Sequence, residues 1–199
     1  MLCSYPSINN KTVSFFTPNK ECYIDSVNIF LNVLFVIMIF LVIVGYRCVK
    51  KLKKNQEIVR YHEHSSRWIL TLLLFCINLI EIGEGIMVNF LNENPRVHLI
   101  LSPVCSILAT VAAILFYQYI ERLNRPKTLL LLFLFWPTAA TIKFAKIITL
   151  YGMEFNIYHL RLAISWAASV VYCLLTAIDV TLLIVQVIFP PFLSIILKW

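Results

Sequence analysis

The sequence predicts an all-α membrane protein, a five-helix transmembrane bundle with its N-terminus outside and its C-terminus cytoplasmic. Three observations carry this expectation. Hydrophobic residues make up 60% of the 199 residues and the mean hydropathy is +0.83, outside the range of soluble globular chains. Crossing ~30 Å of hydrocarbon takes roughly 20 apolar residues. Five such stretches lie near 26–48, 68–91, 97–120, 127–149 and 160–188, and together they form one transmembrane domain, 26–188. Charged residues nevertheless recur inside them, at Glu81, Glu84, Lys143, Lys146 and Asp179, which predicts a polar interior shielded from lipid.

The N-terminal segment 1–25 is polar and lacks the order of charged region and apolar core that a signal peptide requires. The first apolar stretch is therefore read as a reverse signal-anchor helix. Asn10-Lys11-Thr12 in that segment is a glycosylation sequon. Cys3 and Cys22 are the cysteines placed outside the cell, where a disulfide persists. Cys48 falls at the inner boundary, and Cys76, Cys105 and Cys173 fall inside spans as small buried apolar residues. Helix one carries apolar residues on nearly every face (Phe30, Leu34, Phe35, Ile37, Met38, Leu41, Val42) and no deep charge to tie it to the bundle. That pattern fits a helix whose outer surface meets a partner, with lipid as the plainer occupant.

The net charge of +7 does not form a nucleic-acid-binding face. Arg47, Lys50, Lys51, Lys53, Lys54, Arg60 and Arg67 lie in or beside the first loop, and Arg122, Arg125 and Lys127 mark the third. The connections 92–96 and 150–159 carry Arg96 as their only lysine or arginine. Positive loops stay on the cytoplasmic side, and this fixes the expected orientation. Ser65-Ser66 precede helix two as caps. His62-Glu63-His64 does not have the four-residue histidine spacing of a zinc-protease helix and reads as solvated. Pro126 opens helix four, where its missing N–H costs nothing, while Pro103 and Pro137 lie inside helices three and four. There is no phosphate-binding glycine loop and no nucleophile elbow. The chain reads as a non-enzyme without a cofactor or metal of its own.

Depth sharpens the interior reading. At about 1.5 Å per residue, Glu81 and Glu84 lie ~20 and ~24 Å from the cytoplasmic end of helix two, and Lys143 and Lys146 ~24 and ~29 Å along helix four. Each pair is three residues apart and shares a helix face. An unpaired charge at such depth costs several kcal/mol or more, so Glu81 and Glu84 are expected to face Lys143 and Lys146. Asp179, near the inner leaflet, is expected to pair with Arg67, Arg122 or Arg125 in a second layer. The functional alternative is an ion or proton pathway, as in an autonomous membrane carrier.

Arg67-Trp68-Ile69-Leu70-Thr71 followed by Glu81-Ile82-Gly83-Glu84-Gly85-Ile86 closely resembles the N-terminal extra transmembrane domain of sulfonylurea receptors, in subfamily C of the ABC transporters. Further matches run in order: Cys22-Tyr23-Ile24-Asp25-Ser26-Val27-Asn28, Val97-His98-Leu99, Tyr119-Ile120-Glu121, Pro126-Lys127, Thr141-Ile142-Lys143-Phe144-Ala145-Lys146 and Leu160-Arg161-Leu162. The resemblance implies a five-helix docking module that joins an ABC protein to an inward-rectifier potassium channel subunit at the plasma membrane. Helix one would pack on the channel's outer helix. Lys127, with Arg125 beside it, would lie near a phosphoinositide headgroup at that interface. The family's extracellular disulfide and glycan would map to Cys3, Cys22 and Asn10. The tail 189–199 departs from the family, which continues with a basic stretch and an amphipathic lasso, whereas here basic residues are missing until Lys198. The chain therefore reads as a fragment, a short isoform or a stand-alone form. Its expected partners are the channel subunit, membrane lipids and, if the natural chain continues, an ABC transporter core; nucleic acid is not among them. The alternative is the assembly and trafficking domain of a subfamily C exporter.

A glycosidase mobility shift abolished by Asn10→Gln is expected, and Cys3 and Cys22 should resist thiol reagents on intact cells until reductant is added. Immediate labelling of either cysteine would contradict the bridge, and an unshifted band would contradict the outside N-terminus.

Overall fold

In hydrocarbon a backbone N–H or C=O has no water to bond, so long apolar segments satisfy themselves as helices. The computed structural model describes residues 17–50, 64–91, 96–123, 129–151 and 156–188. All regular structure among them is helical: α1 (Thr17–Lys50), α2 (His64–Leu91), α3 (His98–Leu123), α4 (Leu129–Leu150) and α5 (Asn156–Ile188). Each contains a stretch long and apolar enough to cross a membrane, and the chain is a multi-pass membrane protein.

The helices close into a ring. α1 packs against α3 and α4, α2 against α3 and α5, and α4 against α5, giving the order α1, α3, α2, α5, α4 around the bundle. Contacts within pairs fix the directions. Asn28 and Asn32 of α1 meet Ser102 and Ser106 of α3 in the same order, so those helices are parallel. Arg67 and Glu84 of α2 meet Asp179 and Arg161 of α5 in reverse order, so that pair is antiparallel.

α1 begins well before residue 26, where the hydropathy pattern starts. Pro18 sits in its first turn, where its absent N–H is harmless. The added turns carry Glu21 and Asp25, which lower the local hydropathy yet are both buried. Cys22, Asp25, Asn28, Asn32, Phe35 and Ile39 form one buried stripe at three- and four-residue spacing, the seam by which a helix meets its neighbours. α1 is therefore attached to the bundle by its charges, contrary to the expectation of a helix without deep charge.

Apolar lipid leaves little hydrophobic drive between helices, so close packing and hydrogen bonds carry the association. Ala109, Ala113, Ala139 and Ala168 are buried on facing surfaces. Asn28 Nδ2 donates to Ser102 Oγ at 2.9 Å and Asn32 Nδ2 to Ser106 Oγ at 3.0 Å. Such bonds contribute about 0.6–2 kcal/mol each. Near mid-bundle Phe35 stacks on Phe135 with centroids 3.6 Å apart. Trp136 donates its indole N–H to Tyr117 at 3.2 Å and lies against Tyr172.

α2 and α3 approach closely at Gly85, where an added Cβ would stand 2.8 Å from the Leu99 carbonyl oxygen. Gly83, two residues earlier, has open space at the same position. Gly85→Ala should therefore lower stability in detergent unfolding by about 1–3 kcal/mol. Gly83→Ala should be neutral or raise it by up to about 1 kcal/mol through helix propensity. Equal effects at the two glycines would contradict the close approach.

Candidate functional site

Four helices send charged side chains to one end of the ring's interior. α1 supplies Glu21 and Asp25, one turn apart on its buried stripe, α2 supplies Glu81 and Glu84, α4 supplies Lys143 and Lys146, and α5 supplies Arg161. All seven are buried. Lys143 Nζ donates to Glu81 Oε2 at 2.6 Å. Lys146 Nζ donates to Glu81 Oε1 at 3.1 Å and to Asp25 Oδ1 at 2.8 Å, so it joins α4 to both α2 and α1. Arg161 Nε donates to Glu84 Oε1 at 3.0 Å and Oε2 at 3.2 Å, while its Nη1 donates to Glu21 Oε1.

The pairing of α2 with α4 thus runs through Glu81, and the expectation for Glu84 is corrected. Glu84 pairs with Arg161 of α5, not with either lysine. Three residues rotate a helix by about 300°. That angle suffices to turn Glu84 toward α5 while Glu81 points at α4. The guanidinium fork matches a carboxylate edge and still has an N–H group for a second acid. One arginine accordingly holds α1, α2 and α5 together. Glu21, Asp25 and Arg161 were not singled out as pairing residues in the sequence. Glu21 and Asp25 fall in the segment 1–25 that reads as polar, and Arg161 stands in the first turns of α5, only one residue into the apolar stretch 160–188. The signal that was present is the four-residue spacing of Glu21 and Asp25, which puts both on one helix face.

A second layer lies toward the other end. Arg67 Nη2 is 2.7 Å from Asp179 Oδ1, with both side chains buried. The guanidinium also stands 5.3 Å from the centroid of Tyr117, a cation–π distance. Arg67, one of the arginines the sequence offered to Asp179, meets it, whereas the Arg122 and Arg125 side chains lie outside the described residues.

The helix-one interface residues divide. Phe30, Leu34, Met38 and Leu41 are exposed. Phe35 is 3% exposed and stacked on Phe135, and Val42 packs against the core. Those two face the bundle because they continue the buried stripe, and they are removed from the outer surface. Cys22 is buried. Cys3, Asn10, Arg125 and Lys127 lie outside the described residues. Among the described residues no three His, Cys, Asp or Glu side chains gather as a metal site. The arrangement sets four carboxylates against three cations across the ring, and its chemistry is that of a clamp.

No protein-family model matches the chain. Over 84% of its length the chain is homologous to ATP-binding cassette sub-family C member 8, a sulfonylurea receptor. It is 25% identical over 171 residues to the proteins of Cricetus cricetus, Rattus norvegicus and Homo sapiens. The chain spans 11% of the length of these relatives. The match is consistent with their N-terminal extra transmembrane domain.

Removing one partner from a buried pair typically costs about 3–5 kcal/mol. Glu84→Gln and Arg161→Met should each destabilise the bundle, with Arg161→Met the worse because it strands Glu21 as well. A double-mutant cycle on detergent unfolding should give a coupling of about 0.5–3 kcal/mol between these two positions, and a clearly smaller one between Glu84 and Lys143. The reverse order would reinstate a lysine partner for Glu84.

Proposed function

We propose that this chain is the docking module of a sulfonylurea-receptor-like ABC protein, which binds an inward-rectifier potassium channel subunit in the plasma membrane and modulates its gating. The observation that carries the reading is the homology to a sulfonylurea receptor across 84% of the chain, together with the outer face of α1. The proposal places the N-terminus outside, with the basic loops cytoplasmic. Glycosylation at Asn10 and a Cys3–Cys22 bridge belong to the same proposal.

α1 has the least buried span of the five. Its seam is fixed to the bundle by ion pairs and asparagine hydrogen bonds, so the opposite face is presented rigidly. That face carries Phe30 at 68% and Leu41 at 58% exposure, with Leu34 and Met38 between them. Apolar side chains at this spacing form a ridge that packs into the groove of another membrane helix. At the cytoplasmic boundary Arg125 and Lys127 would contribute about 1 kcal/mol each toward an anionic leaflet, and a phosphoinositide shared with the channel is the proposed ligand of Lys127. The chain acts through binding and has no catalytic step. An ABC transporter core is its second partner wherever the natural chain continues.

Co-expression with a channel subunit, scored by pull-down and single-channel open probability, tests both parts. The subunit should co-purify and its open probability should change. Phe30→Ala with Leu41→Ala should weaken the pull-down while leaving bundle stability nearly unchanged. Phe35→Ala should instead lower stability by about 3–5 kcal/mol. Lys127→Ala should reduce the gating effect and spare the pull-down; unchanged gating would remove the lipid role. Recovery of an exporter core without any channel subunit would replace this reading with the assembly-domain one.

A further inference from the structure

Between the ion network and the aromatic layer lies one level of the bundle where small and polar side chains meet. The pairs above and below it set its membership. Arg161–Glu84 and Asp179–Arg67 place α5 against α2 so that Ala168 comes opposite Asn78, with Ser165 less than one turn away. Lys146–Asp25 and Phe135–Phe35 place α4 against α1 so that Ala139 comes opposite Asn32. Gly85 beside Leu99 and Arg67 over Tyr117 bring Ser106 of α3 to the level of Asn78, and Ser106 accepts a hydrogen bond from Asn32. Ala139, Ala140 and Ala168 are all buried. Phe35, Leu74, Trp136 and Tyr172 close the level on one side, and the Glu81–Lys143 pair closes it on the other.

Three helices leave polar atoms unsatisfied here. Asn78 is 0% exposed, and neither its Nδ2 nor its Oδ1 has a hydrogen-bond partner on the protein. Asn32 Oδ1 and Ser165 Oγ are equally without one, at 1% and 0% exposure. Buried amides and hydroxyls are normally bonded, and the register puts these three groups from α1, α2 and α5 at one level, where a common partner would serve them. That partner must donate to two carbonyl oxygens and accept from an amide N–H. A neutral partner fits, because the adjoining Glu81 and Lys143 already compensate each other and neither calls for a further charge. The buried side chains of Ala139, Ala140 and Ala168 at this level are small, which is compatible with a partner of the size of a water.

We propose that this level is an internal water site, in which one or more ordered waters bridge Asn32 of α1, Asn78 of α2 and Ser165 of α5. A buried water typically makes about three hydrogen bonds to such groups. The inference rests on the interior alone and stands apart from the proposed function. Its test uses the 199-residue chain in lipid nanodiscs with 15N-labelled asparagine. Magnetisation transfer from water should appear at the Asn78 side-chain amide, assigned by its loss in Asn78→Leu or, if that variant does not accumulate, Asn78→Ser. No transfer to that amide would overturn the site. Thermal unfolding gives an independent reading, because replacing a dry orphan amide by leucine relieves it, whereas replacing a solvated one strands its neighbours. A lower Tm for Asn78→Leu is expected, and a higher one would overturn the proposal.

Discussion

A charge in hydrocarbon must find an opposite charge, and the rest of this bundle is arranged around that requirement. Arg161 bonds acids on two other helices, and Lys146 does the same with a different pair of acids. Because the helices form a ring, pairs such as Glu81–Lys143 and Arg161–Glu21 run across the interior rather than along a seam between ring neighbours. The network therefore ties α1 to α2 and α5, the two helices that are not its ring neighbours, and adds to the asparagine–serine bonds and the Phe35–Phe135 stack that hold it to α3 and α4. A buried ion pair is weak evidence of net stability, since desolvation opposes the Coulomb gain. Its stronger effect is on specificity: any helix order or register that separates these groups leaves several charges unpaired at once.

From that constraint the distribution of surfaces follows. The stripe of α1 holding Glu21, Asp25, Asn28 and Asn32 turns inward, so Phe30, Leu34, Met38 and Leu41 turn outward. An apolar helix held only by apolar contacts would rotate freely in lipid, because its faces would be nearly equivalent. Polar anchoring makes one face permanent. The proposed docking role depends on that, since a partner helix can recognise only a surface presented in one orientation.

Much of the architecture was legible in the sequence. Long apolar stretches gave the helices, and the depth of Glu81 and Lys143 gave their contact, because membrane thickness converts residue number into height. For the same reason the partner of Asp179 was narrowed to three arginines near the inner leaflet, Arg67 among them. What height does not give is azimuth. Glu84 and Lys146 lie at similar heights but turn to different neighbours, and the ring order that decides this comes from packing among all five helices. The start of α1 was hidden by the charges that make it important: Glu21 and Asp25 lower the hydropathy, so the span appears to begin after them. Phe35 and Val42 look like the outward residues beside them, and only the buried stripe distinguishes the two faces.

The central claim is that the ion network holds α1 in place, and a distance measurement tests it most directly. Spin labels at exposed positions Tyr23 on α1 and Leu160 on α5 report that separation by pulsed electron resonance. Labels at Ile86 on α2 and Val97 just before α3 serve as a control pair with neither label on α1 or α5. The account predicts one narrow distance for the first pair that broadens in Arg161→Met, with the control pair unchanged. An α1–α5 distance that stays narrow without the guanidinium would contradict it.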